Sequence, residues 1–270
     1  MYICRSCNNQ FEGKYCSNCG EKVLEKSDLA LKKILGEFFQ ALTFANSKFL
    51  KSIWLLITKP GKLSSEYIEG RRVGYMTPIA LFFIINIMYF VFGRLTDYTP
   101  SLSHQYYYTP YSSYAQTKID KRQSELELNS EVFISLYNSK SHYYAKSLVV
   151  INVPILALLY FLLLFKKREL YTQNLIYTFH LFSFVLLIIT VIPHITEFLY
   201  SILNISSAEE KYTQLVLLII LCIYSFFSIK EFYQLKWFWS VIIGILTFPI
   251  IFIAMTCFKF ILMHITLYNM

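Results

Sequence analysis

KPGKLSSEYIEGRRVGYMTPIALFFIINIMYFVF, from Lys59 to Phe92, is the stretch whose reading decides the fold. A basic, polar segment turns here into an apolar run, with no charged residue between Arg72 and Arg94. Tyr75 to Gly93 spans nineteen residues; at about 1.5 Å each, a helix of that length reaches roughly 28 Å, close to the hydrocarbon thickness of a bilayer. Pro60 and Gly61 stop a preceding helix, and Leu63 to Glu69 reads as a short helix closed by Gly70. Arg71 and Arg72 then sit just outside the first span. Together with Lys59 and Lys62 they can meet anionic headgroups or set topology, and the arginines can equally fork onto Glu66 and Glu69.

Composition extends this reading to the whole chain. Of 270 residues, 56% are hydrophobic and 16% charged, with mean hydropathy +0.45, against roughly 25% charged in soluble domains. A soluble core of this size cannot bury that apolar excess, so the bilayer is the natural solvent and one partner of the chain. Further spans are predicted at Ser147 to Phe165, Leu175 to Leu203, Thr213 to Ile229 and Phe238 to Met263, making about five. The third and fifth are long. Pro78, Pro154, Pro193 and Pro249 mark bends or ends of spans rather than chemistry. The expected fold is an all-α integral membrane protein: a small ribbon at 1–24, amphipathic juxtamembrane helices at 25–72 and a helical bundle at 73–270.

The first residues, MYICRSCNNQ, are polar and lack the apolar stretch of a signal peptide, so the first span is expected to carry targeting. The net charge of +8 distributes unevenly, with 12 of the 25 Lys and Arg before Met76. With the N-terminus inside, 17 basic residues face the cytosol and eight face out, and the bias holds loop by loop. The expected orientation is N-terminus cytosolic and C-terminus outside. The outer loop at 94–146 is rich in Tyr and Ser, and reads as lying at the headgroup level or as locally disordered.

Cys4, Cys7, Cys16 and Cys19 form CxxC, eight residues, then CxxC. Two residues between thiolates let a tight turn present both sulfurs to one tetrahedral zinc, and two such turns close a four-sulfur site. Asn8 and Gly20 suit turns with positive φ. Two disulfides or a redox dithiol are the alternatives, disfavoured by a reducing compartment and by the lack of a βαβ context. With all four ligands from protein, no position remains for a catalytic water, so the zinc is expected to be structural. Behind the ribbon, Ser27 is an N-cap candidate, and Leu31, Leu35, Phe38, Leu42, Ala45, Phe49, Ile53 and Leu56 draw one helical stripe, broken at Asn46 and Ser47. Such a stripe lies on the inner leaflet or packs on the bundle; it also offers a surface for a protein partner.

Polar residues inside the spans are function candidates by default. Asn86, Asn152 and His180 can line a path in a transporter or channel subunit. His194 and Glu197, three apart on one helical face, can hold a metal or share a proton, with His264 as a third group for a membrane-embedded metal enzyme. A hydrated interfacial pair is the plainer reading. Cys222 and Cys257 read as buried apolar thiols. There is no GxxxxGK[ST], HExxH, GxSxG or GxGxxG. Within residues 1 to 22, three basic residues face two acidic ones, which argues against nucleic acid as a partner.

Two blocks carry a resemblance. The double CxxC ending in Gly20, followed by TFANSKFLKSIWLLITKPGKLSSEYIEGRRVGYMTPIALFFIINIMYF, resembles an uncharacterised family of bacterial multi-spanning proteins with an N-terminal zinc ribbon, labelled as a domain of unknown function. The resemblance covers about the first 92 residues, through the PG turn, Tyr67, Ile68, Gly70, Arg71, Tyr75 and Pro78. It implies a bacterial inner-membrane architecture and supplies no catalytic residue. The expected role is accordingly a non-enzymatic scaffold or regulatory protein.

Overall fold

The computed structural model describes residues 2–23, 46–93, 98–167, 170–203 and 209–270. The predicted stripe from Leu31 to Ala45, with Ser27, lies outside them, as do Arg94 and Arg168. A two-stranded antiparallel hairpin, β1 (Tyr2–Ile3) and β2 (Gln10–Phe11), opens the chain. A single antiparallel bridge, Tyr15 to Lys22, follows in the ribbon, and the remaining elements among the described residues are helices: α1 (Asn46–Thr58), α2 (Lys62–Ile68), α3 (Pro78–Phe92), α4 (Leu102–Tyr107), α5 (Ser112–Leu126), α6 (Ser130–Leu148), α7 (Asn152–Leu164), α8 (Tyr171–Leu203), α9 (Glu209–Tyr233) and α10 (Trp237–Tyr268). The protein is an all-α membrane protein.

Among the described residues, four helices are long and apolar enough to cross a bilayer: Ser130–Leu164, in which α6 and α7 join through a 3-10 turn at Val149–Ile151, then Tyr171–Ile202, Tyr212–Tyr233 and Trp237–Tyr268. The expected first span is the shorter α3. Pro78 stands at its first turn, and the Thr77 hydroxyl caps it by accepting from the Ala80 amide. Tyr75 and Met76 therefore belong to the incoming link. Fifteen residues make roughly 22 Å of helix, short of a typical core of about 30 Å.

The centre of the bundle is α8. Of its apolar window 83% is buried, against 28–39% for the other three long helices. Helices α3, α7 and α9 pack directly on it, while α10 closes the bundle against α9, α7 and α6. This explains where the polar residues went. Asn174, Thr178, His180, Ser183, Thr190 and Thr196 are all buried on α8, because the central helix meets protein rather than lipid on most of its circumference. Several of their hydroxyls bond back to their own helix: Ser183 to the Phe179 carbonyl at 2.7 Å, Thr190 to Leu186 at 2.7 Å. Pro193 and Pro249 lie inside α8 and α10 and end neither. Cys222 and Cys257 are exposed on the flank of the bundle, where lipid lies, and are not core thiols.

The tyrosine-rich segment departs most from expectation. From Ser101 to Leu148 it is helical, not a headgroup-level coil. Leu102, Ala115, Ile119, Phe133 and Tyr137 bury against Met263 and Leu267 of α10, forming a second small core beyond the apolar span. Gln105 fastens this cap: its amide donates to the Lys259 carbonyl at 3.1 Å and its oxygen accepts from the Tyr111 hydroxyl at 2.7 Å. The extra length of α6 and α10 is thus scaffolding for a helical cap.

Candidate metal centre and its docking elbow

The two CxxC segments fold into the same turn. In the first, the Cys4 amide donates to the Asn9 carbonyl at 2.9 Å and the Asn8 amide to the Cys4 carbonyl at 2.9 Å; in the second, Cys16 donates to Glu21 at 2.7 Å and Gly20 to Cys16 at 2.9 Å. The residue that closes each turn is left-handed, Asn8 at φ 57° and Gly20 at φ 74°, which is why an Asn and a Gly occupy those places.

The turns bring all four sulfurs within 4.8 Å of one another, with Cys4 and Cys19 at 3.5 Å and Cys7 and Cys16 at 3.6 Å. Disulfide sulfurs would stand near 2.05 Å. Zinc–sulfur bonds of about 2.3 Å in a tetrahedron place their sulfurs roughly 3.8 Å apart, so the geometry fits a single metal ion. Desolvation raises the Cys16 thiol, but amides of Cys19 and Asn18 and the neighbouring Cys7 and Cys4 thiols outweigh it and bring it down to about 6. The metal would supply most of the folding energy of this unit, since only Phe11 and two of the cysteines are buried in its own core.

This centre rests on an elbow built from the stretch that decides the fold. Lys59, Pro60, Gly61 and Lys62 form a tight turn, with the Lys62 amide bonding the Lys59 carbonyl at 3.1 Å. Pro second and a left-handed Gly third, φ 79°, is the type II pattern. Gly61 also lies on α9 so closely that a Cβ there would stand 2.4 Å from the Ser228 carbonyl oxygen. Helix α2 follows, with Leu63, Ser64, Ser65, Tyr67 and Ile68 buried between α8 and α9. It ends in a Schellman motif: Gly70 is left-handed at φ 99°, the Arg71 amide bonds the Glu66 carbonyl and the Gly70 amide that of Tyr67. Beyond it, the Met76 amide donates to the fully buried Ser52 hydroxyl of α1 at 2.9 Å.

The arginines have protein partners. Arg71 pairs with both Glu66 and Glu69. Burial pushes the Glu66 carboxyl up, but hydrogen bonds and charge from Arg71 and Lys62 overcome it and hold that carboxyl below its ordinary value. Arg72 lays its guanidinium over the Tyr67 ring, 4.5 Å from the centroid, and donates through Nε to the Tyr67 carbonyl. Of the two choices open at Arg71, headgroup or Glu66 with Glu69, the structure takes the carboxylates. Lys62 bridges Glu66 at 3.4 Å and Glu231 at 3.5 Å, whereas Lys59 is exposed.

The ribbon meets this elbow through both turns. Arg5, inside the first CxxC, donates to the Glu69 carbonyl at 2.9 Å. Glu21, two residues after Cys19 and 5% exposed, accepts from the amides of Arg72 at 3.2 Å and Val73 at 3.3 Å, and from the Ser6 hydroxyl at 2.6 Å. Sequence reading passed over Glu21 and Arg5. The available signal was a carboxylate and a guanidinium placed inside or beside the metal turns rather than on a free face.

The intramembrane candidates do not come together. His180 is buried, its Nδ1 2.8 Å from the Ser64 hydroxyl of α2. Asn86 and Asn152 each donate to a carbonyl around the α6–α7 junction, that of Lys146 at 3.3 Å and that of Val149 at 3.0 Å. His194 Nε2 bonds the Phe92 carbonyl at 2.8 Å, and Glu197 lies exposed one turn further on α8. His264 is held by Tyr114 at 3.0 Å and by the Phe260 carbonyl at 2.9 Å. His194, Glu197 and His264, the alternative metal set, do not form such a group; among the described residues the four cysteines are the group of three or more ligating side chains able to hold a metal ion.

Fold and site thus define a class: a helical membrane protein bearing a four-cysteine centre docked on a juxtamembrane elbow. Residues 46–90, covering α1, the elbow and most of α3, match a family model described as Protein of unknown function (DUF3667), in keeping with the resemblance to an uncharacterised family. No curated protein and no solved structure matches the chain.

Proposed function

We propose that this chain is a non-enzymatic scaffold or regulatory protein of a bacterial inner membrane, with the N-terminus cytosolic, the C-terminus outside, and structural zinc in the ribbon of Cys4, Cys7, Cys16 and Cys19. The observation that carries this reading is the double contact of the metal turns with the elbow, Arg5 to Glu69 and Glu21 to Arg72 and Val73. Metal occupancy is thereby coupled to the segment that leads into α3 and wedges α2 between α8 and α9. Partners consistent with this arrangement are anionic headgroups and a protein that reads the ribbon or the surface helices. The test is hydrogen exchange on the full chain in nanodiscs, with metal bound and after chelation. Loss of metal should expose the amides of residues 72 and 73 while the bundle stays protected; unchanged exchange there would refute the coupling.

A transporter or channel subunit is the second reading. It is favoured by buried polar atoms left without partners on three adjoining helices: Ser65 Oγ of α2, His180 Nε2 of α8 and Ser225 Oγ of α9. Solute flux in proteoliposomes that His180→Ala abolishes would support it, and flux unaffected by that change would remove His180 from the path.

A further inference from the structure

A cleft of 760 Å³ opens between the elbow and the turn that joins α9 to α10. Four lysines line it, Lys59 and Lys62 from the elbow and Lys230 and Lys236 from the turn, against one carboxylate, Glu231. Lys62 is already matched by Glu66 and Glu231. Lys59, Lys230 and Lys236 are exposed and have no carboxylate in ion-pair range among the described residues, so three lysines from two separate segments line one concave space whose single carboxylate, Glu231, is shared with Lys62.

The surroundings say what kind of anion fits. Phe227 forms part of the wall and continues an outward stripe on α9 with Ile223 and Ile219, at four-residue spacing and about half exposed each, which places all three on one face of the helix. The stripe ends one turn before Lys230. Trp237, Phe238 and Trp239 stand exposed at the start of α10, as does Trp54 on α1; exposed aromatics flanking an apolar span mark the membrane–water boundary. The cleft therefore lies at headgroup depth, with a lipid-facing track leading out of it.

We propose that this cleft binds the headgroup of an anionic phospholipid, its phosphate among Lys59, Lys230 and Lys236 and its acyl chains along Phe227, Ile223 and Ile219. A soluble anion would use the lysines but not the track. The proposal deepens the scaffold reading and rests on it only in placing the elbow at the membrane surface. A lipid seated here bridges the elbow to α9 and α10 at the N-terminal end of α2, whereas the ribbon contacts at Glu69 and Arg72 follow its C-terminal end.

The test is native mass spectrometry of the full chain, titrated with phosphatidylglycerol, phosphatidylcholine or inorganic phosphate. Phosphatidylglycerol should be retained in preference to phosphatidylcholine, and inorganic phosphate should not displace it. Lys230→Gln with Lys236→Gln should weaken retention about 30-fold, near fivefold for each basic residue removed at a membrane surface. Lys118→Gln with Lys121→Gln, the same charge change on the helical cap, should leave it unaltered, and Lys236→Arg should preserve it. Equal retention in the cleft variant, equal retention of the two lipids, or displacement by inorganic phosphate would each overturn the proposal, the last by identifying a free anion as the ligand. Hydrogen exchange at residues 72 and 73 on the same samples keeps the readings apart, because the ribbon contact can fail there without altering lipid selectivity.

Discussion

Removing the Glu21 carboxylate is the most direct way to separate metal binding from ribbon docking. In Glu21→Ala the ribbon keeps its four cysteines and both turns, since the bond from the Cys16 amide goes to the Glu21 backbone carbonyl. What disappears is the acceptor for the amides of Arg72 and Val73, which have no other partner given by the elbow. Hydrogen bonds to a charged acceptor contribute about 1.5–3 kcal/mol each, but distances of 3.2 and 3.3 Å place these two at the weak end of the usual range. About 1–1.5 kcal/mol for each gives about 2–3 kcal/mol for the contact; the Ser6 bond lies within the ribbon and does not hold it to the elbow. That corresponds to roughly 30- to 150-fold faster exchange at amides 72 and 73. Glu21→Gln keeps the shape and one acceptor oxygen, and should fall between. The assay is residue-resolved hydrogen exchange in nanodiscs, with metal content measured on the same sample. If Glu21→Ala retains its metal and amides 72 and 73 exchange at the wild-type rate, the ribbon is not held by this carboxylate and the docking argument is wrong.

Other outcomes follow from the same geometry. Gly61→Ala places a methyl 2.4 Å from a backbone oxygen at a left-handed φ and should cost more than about 2 kcal/mol in thermal unfolding, strain and overpacking together; Gly20→Ala, with open space around it, should cost only about 1 kcal/mol of backbone strain. Cys16→Ser should abolish stoichiometric metal, measured by plasma emission, and leave the helical far-UV dichroism of the bundle nearly unchanged. Because the Glu66 carboxyl is held below its ordinary value by Arg71 and Lys62, its contribution is present above the usual carboxylate range and is lost as pH falls through the depressed value. Thermal stability of the wild type should therefore drop below about pH 4 more steeply than that of Glu66→Gln.

How much of this was legible depended on whether a residue's partner lies near it in sequence. The cysteine turns are local, four residues closing on themselves, so spacing alone gave their geometry. The elbow is nearly as local: Pro60 and Gly61 announce the type II turn and Gly70 the Schellman stop. The apolar helices were legible because 3.6-residue structure in lipid needs little beyond length and composition. By contrast, the choice of α8 as the central helix depends on three-dimensional order. Of its polar residues only His180, His194 and Glu197 were read, as candidate chemistry, while its Asn, Thr and Ser content, the polar face a surrounded helix can tolerate, was passed over. The helical cap was missed because Tyr137, with Tyr106 and Tyr111 beside it, packs against α10, more than a hundred residues away, and no local pattern distinguishes that from a headgroup belt. Glu21 was missed for the same reason, since its partners lie 51 and 52 residues on.

The magnitudes at the ribbon assign different tasks to metal and to docking. Structural zinc in small peptides is bound with apparent free energies of about 10–16 kcal/mol, far above the about 2–3 kcal/mol of the Glu21 contact. A metal bound there would therefore decide whether a ribbon exists, while the Glu21 bonds decide only where it sits. Taken alone, a contact of about 2–3 kcal/mol leaves roughly one molecule in 30 to one in 150 open at any time, and the Arg5 bond to the Glu69 carbonyl lowers that fraction further. A partner that binds the freed ribbon, or the bared amides of Arg72 and Val73, can shift that population with a differential affinity of a few kcal/mol, within reach of a modest interface. A stronger clamp would have made the elbow a fixed joint. The weakness of two long hydrogen bonds, set beside a metal site that is all or none, is what makes the regulatory reading physically specific: metal as the condition for docking, and docking as the step a partner can reverse.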